Sequence, residues 1–136
     1  MYSVQIVVGR LVEVRLVTPT SMKDIEGLRS GLLQLFQQRP GKLVFISDLT
    51  GATVFTPEEA DMVLEVFKAD NPRIERSAFL LNRGVFFHRQ VERLISQAKN
   101  PARRSFLEPD ELKAFLVAAL TDAEHGRLSR FLSERP

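Results

Sequence analysis

The chain has 136 residues, 44% of them apolar, the size of one ordinary domain with enough apolar side chains for a core that needs no metal or disulfide. Its 19 Lys and Arg against 17 Asp and Glu leave a net charge of +2 and no polybasic surface, which removes nucleic acid from the expected partners. No cysteine, two separated histidines and no run of roughly 20 apolar residues exclude thiol chemistry, offer little to a metal and leave no transmembrane segment, so we expect a cytoplasmic protein without cofactor.

Val4 to Val8 and Leu11 to Val17 are rich in β-branched residues. The second run alternates Val12, Val14 and Leu16 with Glu13 and Arg15, as in a half-buried strand. Gly9-Arg10 between them suits a two-residue hairpin turn, because glycine accepts positive φ. Thr20 or Ser21 then caps a helix carrying Ile25, Leu28, Leu32, Leu35 and Phe36 at helical spacing, which Arg39-Pro40-Gly41 ends. The unbroken run Leu43-Val44-Phe45-Ile46 reads as a central strand covered on both faces, followed by a loop from Asp48 to Phe55.

Thr56-Pro57-Glu58-Glu59 is the clearest helix start in the chain: a hydroxyl cap, proline at the first helical position and acids where the helix dipole favours them. Asn71-Pro72 stops that helix. Ile74 to Leu81 reads as a strand and Val85 to Ala98 as a helix with Val91, Leu94, Ile95 and Ala98 on one face. A short extended piece at Ser105 to Leu107 precedes a helix opening at Glu108-Pro109, and Thr121 with Glu124 forms a capping box for a last helix bearing Leu128, Phe131 and Leu132. We expect one domain over 1–136, with 108–136 a helical extension that either returns to the sheet or packs on a second copy. The order predicts an α/β fold with a mixed sheet of four to five strands, an N-terminal hairpin followed by parallel strands with crossover helices. In such sheets ligands and partners are met at the carboxyl ends of the strands, which directs attention to 48–55 and 82–84.

An opening hairpin, then helix, buried strand, acidic-hydroxyl-glycine turn, helix, strand and helix is similar to the STAS domain, the SpoIIAA-like fold of bacterial anti-sigma-factor antagonists. The resemblance covers roughly 2–107 and includes Asp48-Leu49-Thr50-Gly51, which looks like the Asp-Ser-Ser-Gly turn in which the antagonists carry their phosphorylated serine. It implies a regulatory protein-interaction module with Thr50 as phosphoacceptor and Asp48, Gly51, Thr53 and Phe55 in a switch loop. The same residues also suit plain turn closure, with Asp48 and Thr50 bonding to backbone and Gly51 supplying conformational freedom.

Arg83, His88, Arg89 and Arg93 put cationic groups on the third helix, where Arg89 and Arg93 share a face; they read as an anion or partner surface, or as a solvated helix face. Phe86 and Phe87 point about 100° apart on a helix, so one of them is free to meet a partner. Phe55 fits a hydrophobic staple before its helix. The expected partner is another protein or a second copy of this chain. The fold family also holds lipid-binding relatives, which makes a carrier of a small apolar ligand, in a cleft beside Phe86 and Phe87, the alternative. A hydrolase built on Asp48, His88 and a loop hydroxyl ranks last, since neither a nucleophile elbow nor a phosphate-binding glycine loop is present.

Overall fold

The computed structural model describes residues 1–134. Five strands, β1 (Tyr2–Ile6), β2 (Leu11–Val17), β3 (Leu43–Gly51), β4 (Ile74–Leu81) and β5 (Arg103–Phe106), form one sheet in sequential order. β1 is antiparallel to β2 and all other pairs are parallel. The helices are α1 (Met22–Gln38), α2 (Pro57–Asp70), α3 (Val85–Ala98), α4 (Pro109–Val117) and α5 (Asp122–Ser133).

Because each parallel strand is added on the same side of the previous one, right-handed crossovers place α1, α2 and α3 together on one face. There Leu16, Phe45, Phe67, Phe79 and Leu94 belong to the buried clusters under the three helices. The opposite face carries Leu11, Val44, Ile46, Ala78 and Leu80, and α4 and α5 cover it with Leu112, Leu116, Leu128 and Phe131. Residues 108–134 thus return to the sheet. The two-sided burial expected of Leu43–Ile46 follows from this second cover.

Local signals determined most boundaries. Ser21, Thr56 and Thr121 each close a capping box, with Asp24, Glu59 and Glu124 three residues on. Three expectations need correction. The hairpin ladder ends at Ile6 opposite Val12, so the connection is longer than two residues, although Gly9 takes φ +58° and Leu11 N–H closes the turn on Val8 O. Strand β2 is not half-buried, because α5 covers its Glu13 and Arg15 face. Strand β3 runs on through Asp48, Thr50 and Gly51, because Val17 still pairs with Gly51 and Thr18 N–H donates to Gly51 O at 2.8 Å; the irregular segment is only 52–56.

Candidate functional site

At the carboxyl end of β3, Asp48 is 2% exposed and stands next to Arg15 of β2 in the parallel ladder. Arg15 Nε donates to Asp48 Oδ2 at 3.1 Å, Arg15 Nη2 reaches Phe131 O of α5 at 2.9 Å, and its guanidinium lies 4.1 Å from the Phe131 ring centre. The other carboxylate oxygen accepts from both Thr50 N–H (3.0 Å) and Thr50 Oγ1 (2.7 Å). Asp48 is therefore fully engaged: it balances a guanidinium and closes the strand end. Gly51 has no positive φ; what it provides is room, since a Cβ there would meet Val17 at 3.3 Å. Thr53 is exposed while Thr50 is half-buried.

The neighbouring strand ends are stapled by residues that sequence reasoning passed over. Asn82 donates to Thr50 O (3.1 Å) and Ala52 O (2.9 Å) and accepts from Gly84 N–H (2.9 Å). Gln90 of α3 accepts from Phe55 N–H (2.8 Å) and donates to Phe55 O (3.0 Å), so one amide clips the 52–56 segment to the helix. Phe55 is buried edge-on to Phe87, with ring centres 5.8 Å apart, and shares a cluster with Ala60, as a staple should. No periodicity marks Asn82 or Gln90, because each matters through the backbone of a distant segment.

Phe87 is 3% exposed and Phe86 76%, so the pair divides as its helical geometry requires. Phe86, Arg89 and Arg93 follow one another at i, i+3 and i+7 on one exposed face of α3, and Gln90 at i+4 holds the backbone of Phe55, the residue after the exposed Val54. Arg83 pairs with Glu108. His88 Nε2 lies 3.6 Å from Glu92, which also accepts from Ser105 Oγ. The predicted residues thus fall into two groups. Asp48 and Thr50 turn toward α5, whereas Phe55, Phe86, His88, Arg89 and Arg93 belong to the layer on the other face. Asp48 and His88 have separate partners and form no dyad, and Glu92 stands between hydroxyl and imidazole, so the imidazole does not take the base position beside the hydroxyl that nucleophile activation requires.

Beside α3, Asn82, Arg83, Val85, His88, Arg89 and Leu107 line an open groove of about 250 Å³ with both polar and apolar walls. A second, largely apolar space of about 60 Å³ lies between α2 and the sheet, where Asp70 and Arg103 are among the lining residues. Burial pushes the Asp70 carboxyl up to about 7 against the attraction of Arg103, and the same burial draws Arg103 down to about 10. Among the described residues no cluster of three metal-ligating side chains occurs, and no helix is long and apolar enough to cross a membrane.

With 12% identity, this structure is similar to the crystal structure of an uncharacterized protein of the DUF3478 family with a SpoIIAA-like fold from Shewanella loihica PV-4, at a TM-score of 0.58 over 85% of this chain and 93% of that one. The fold is SpoIIAA-like. No family model matches the chain and no curated protein matches it. Within the SpoIIAA-like frame the mixed sheet, the opening hairpin and the parallel strands joined by crossover helices agree with the expectation from element order.

Proposed function

We propose that the protein is a non-enzymatic regulatory or scaffolding module of STAS-like type that works in the cytoplasm by binding another protein, with 1–136 acting as one unit; 135–136 lie outside the described residues. The observation that carries this reading is the exposed Phe86, set on one face of α3 with Arg89 and Arg93. An exposed aromatic held on a rigid helix is the type of group that anchors interfaces. Neither arginine has an ion-pair partner among the described residues, so the surface fits an acidic segment that presents an apolar side chain. The non-enzymatic reading is supported by the engagement of Asp48 with Arg15 and of His88 with Glu92.

The resemblance assigns the phosphate to Thr50. A phosphate there replaces the hydroxyl that donates to Asp48 and sets like charge against it, so its first effect falls on Arg15 and α5 rather than on Phe86. The test is affinity capture from native extract with wild type, Phe86→Ser and Arg89→Glu/Arg93→Glu, read by quantitative mass spectrometry with phosphosite mapping. Both variants should lose the partner about tenfold or more, with unfolding within about 0.5 kcal/mol of wild type because these side chains are exposed. Equal recovery from all three proteins would place the interface elsewhere. If the occupant is a second copy, Phe86→Ser converts a dimer to a monomer in light scattering.

A further inference from the structure

The sheet has β1 at one edge and β5 at the other, and the two edges differ in kind. An edge strand exposes free N–H and C=O groups that pair with any strand meeting them, so edges are usually short, charged, bulged or interrupted by proline. β5 follows that rule, with four residues that include Arg103 and Arg104. β1 does not: residues 1–8 read Met-Tyr-Ser-Val-Gln-Ile-Val-Val, without a charged side chain or a proline. Gly27 and Gly31 let α1 press on one face of the strand, since a Cβ at either would collide with Tyr2 or Val4, so β1 is held in place while its outer rim stays open.

The free backbone groups on that rim follow from the ladder. Val17 N–H donates to Met1 O at 2.9 Å and the Met1 nitrogen donates to Val17 O at 3.0 Å, which makes these two residues a bonded pair. Alternation along an antiparallel ladder then makes Ser3 with Arg15 and Gln5 with Glu13 bonded pairs too, and turns the N–H and C=O of Tyr2, Val4 and Ile6 away from β2. No other described residue bonds to them. We propose that this rim is an interface between two copies of the chain, paired antiparallel about a twofold axis at Val4. Val4 then faces Val4 of the second copy and Tyr2 faces its Ile6, each pair exchanging both backbone bonds, so every outward group is used. On the side away from α1, Ser3 meets Gln5 of the second copy, and Met1, 64% exposed, meets its Val7, 52% exposed. Polar against polar and apolar against apolar under one symmetry operation is what selects a second copy over an unrelated strand. The interface lies on β1 and the docking surface on α3, so either can fail without the other.

Light scattering of the full chain from about 10 μM to about 1 mM should show the mass rising from one chain to two. In the dimer the amides of Val4 and Ile6 should be protected from hydrogen exchange as those of Ser3 and Gln5 are, and dilution should release the first two alone. Ser3→Lys with Gln5→Lys sets like charges across the axis and should raise the dimer Kd about tenfold or more. Ser3→Glu with Gln5→Lys sets opposite charges there and should keep the dimer, and Phe86→Ser should leave it intact. A chain that stays monomeric throughout would overturn the interface, as would a dimer in which the Val4 and Ile6 amides exchange freely. A dimer broken by Phe86→Ser but not by the paired lysines would belong to α3 instead. The exchange measurement uses the wild-type chain, so it decides the matter even if a variant fails to fold.

Discussion

Thr50 and Asp48 form one hydrogen-bonded unit, and charge placed on the first is felt by the second. Thr50→Val removes one hydroxyl donor and should cost about 1 kcal/mol in urea unfolding. Thr50→Glu should cost clearly more, because it sets a second carboxylate beside a buried one whose cation, Arg15, is already shared with Phe131 O. Equal losses for the two variants would mean that Asp48 does not sense charge at position 50. Asp48-Leu49-Thr50-Gly51 reads as a turn but forms the end of β3; only the local bonding of Asp48 to Thr50 matches what short polar side chains were expected to do there. Arg15 as the partner of Asp48 was not legible, since 33 residues separate them and only the parallel ladder brings them side by side.

Helix α5 shows how an element can be recognised while its role stays hidden. Its capping box and apolar positions were evident, but its docking depends on β2. Arg127 donates twice to Glu13, at 2.6 and 2.7 Å, and Glu13 is 1% exposed. At the helix start, Glu124 accepts from Arg10 N–H at 2.6 Å and from Thr121 N–H at 2.8 Å. Arg127→Ala leaves Glu13 buried without its cation and should lower stability by about 3–5 kcal/mol, whereas Glu13→Leu with Arg127→Leu should recover most of that loss. If the double substitution is as unstable as the single one, the pair is not what holds α5. Alternation along β2 marks Glu13 and Arg15 as a polar face; a polar face turned to water and one turned to a charged helix read alike in sequence.

Across the whole molecule, the two buried faces and the polar groups between layers determine the response to pH. The folded-state value of Asp70, about 7, lies above its ordinary 3.8, so between these limits the folded protein keeps a proton that the unfolded chain releases. Stability therefore falls as pH rises from about 4 to about 7, by on the order of 4 kcal/mol, and is level above. Glu124 acts in the opposite sense. Burial alone would raise it, but the backbone donors of Arg10 and Thr121 outweigh this and hold it below its ordinary 4.5, so its contribution is present above that value and is lost on acidification. Thermal unfolding across pH should show greatest stability on the mildly acidic side, near pH 5, and Asp70→Asn should flatten the decline toward neutrality; an unchanged decline would remove Asp70 as its cause. Caps, periodicity and the apolar run at Leu43–Ile46 were enough to give every helix and a mixed sheet with an opening hairpin and parallel later strands, because these depend on neighbours a few residues apart and on the fixed hand of crossovers, and the resemblance in element order supplied the SpoIIAA-like frame. The pairing of Arg15 with Asp48, the cover that α5 gives to β2, and the apolar cavity beside Asp70 and Arg103 arise only when segments distant in the chain are packed together, since burial and partnership belong to the assembled layers rather than to any local pattern.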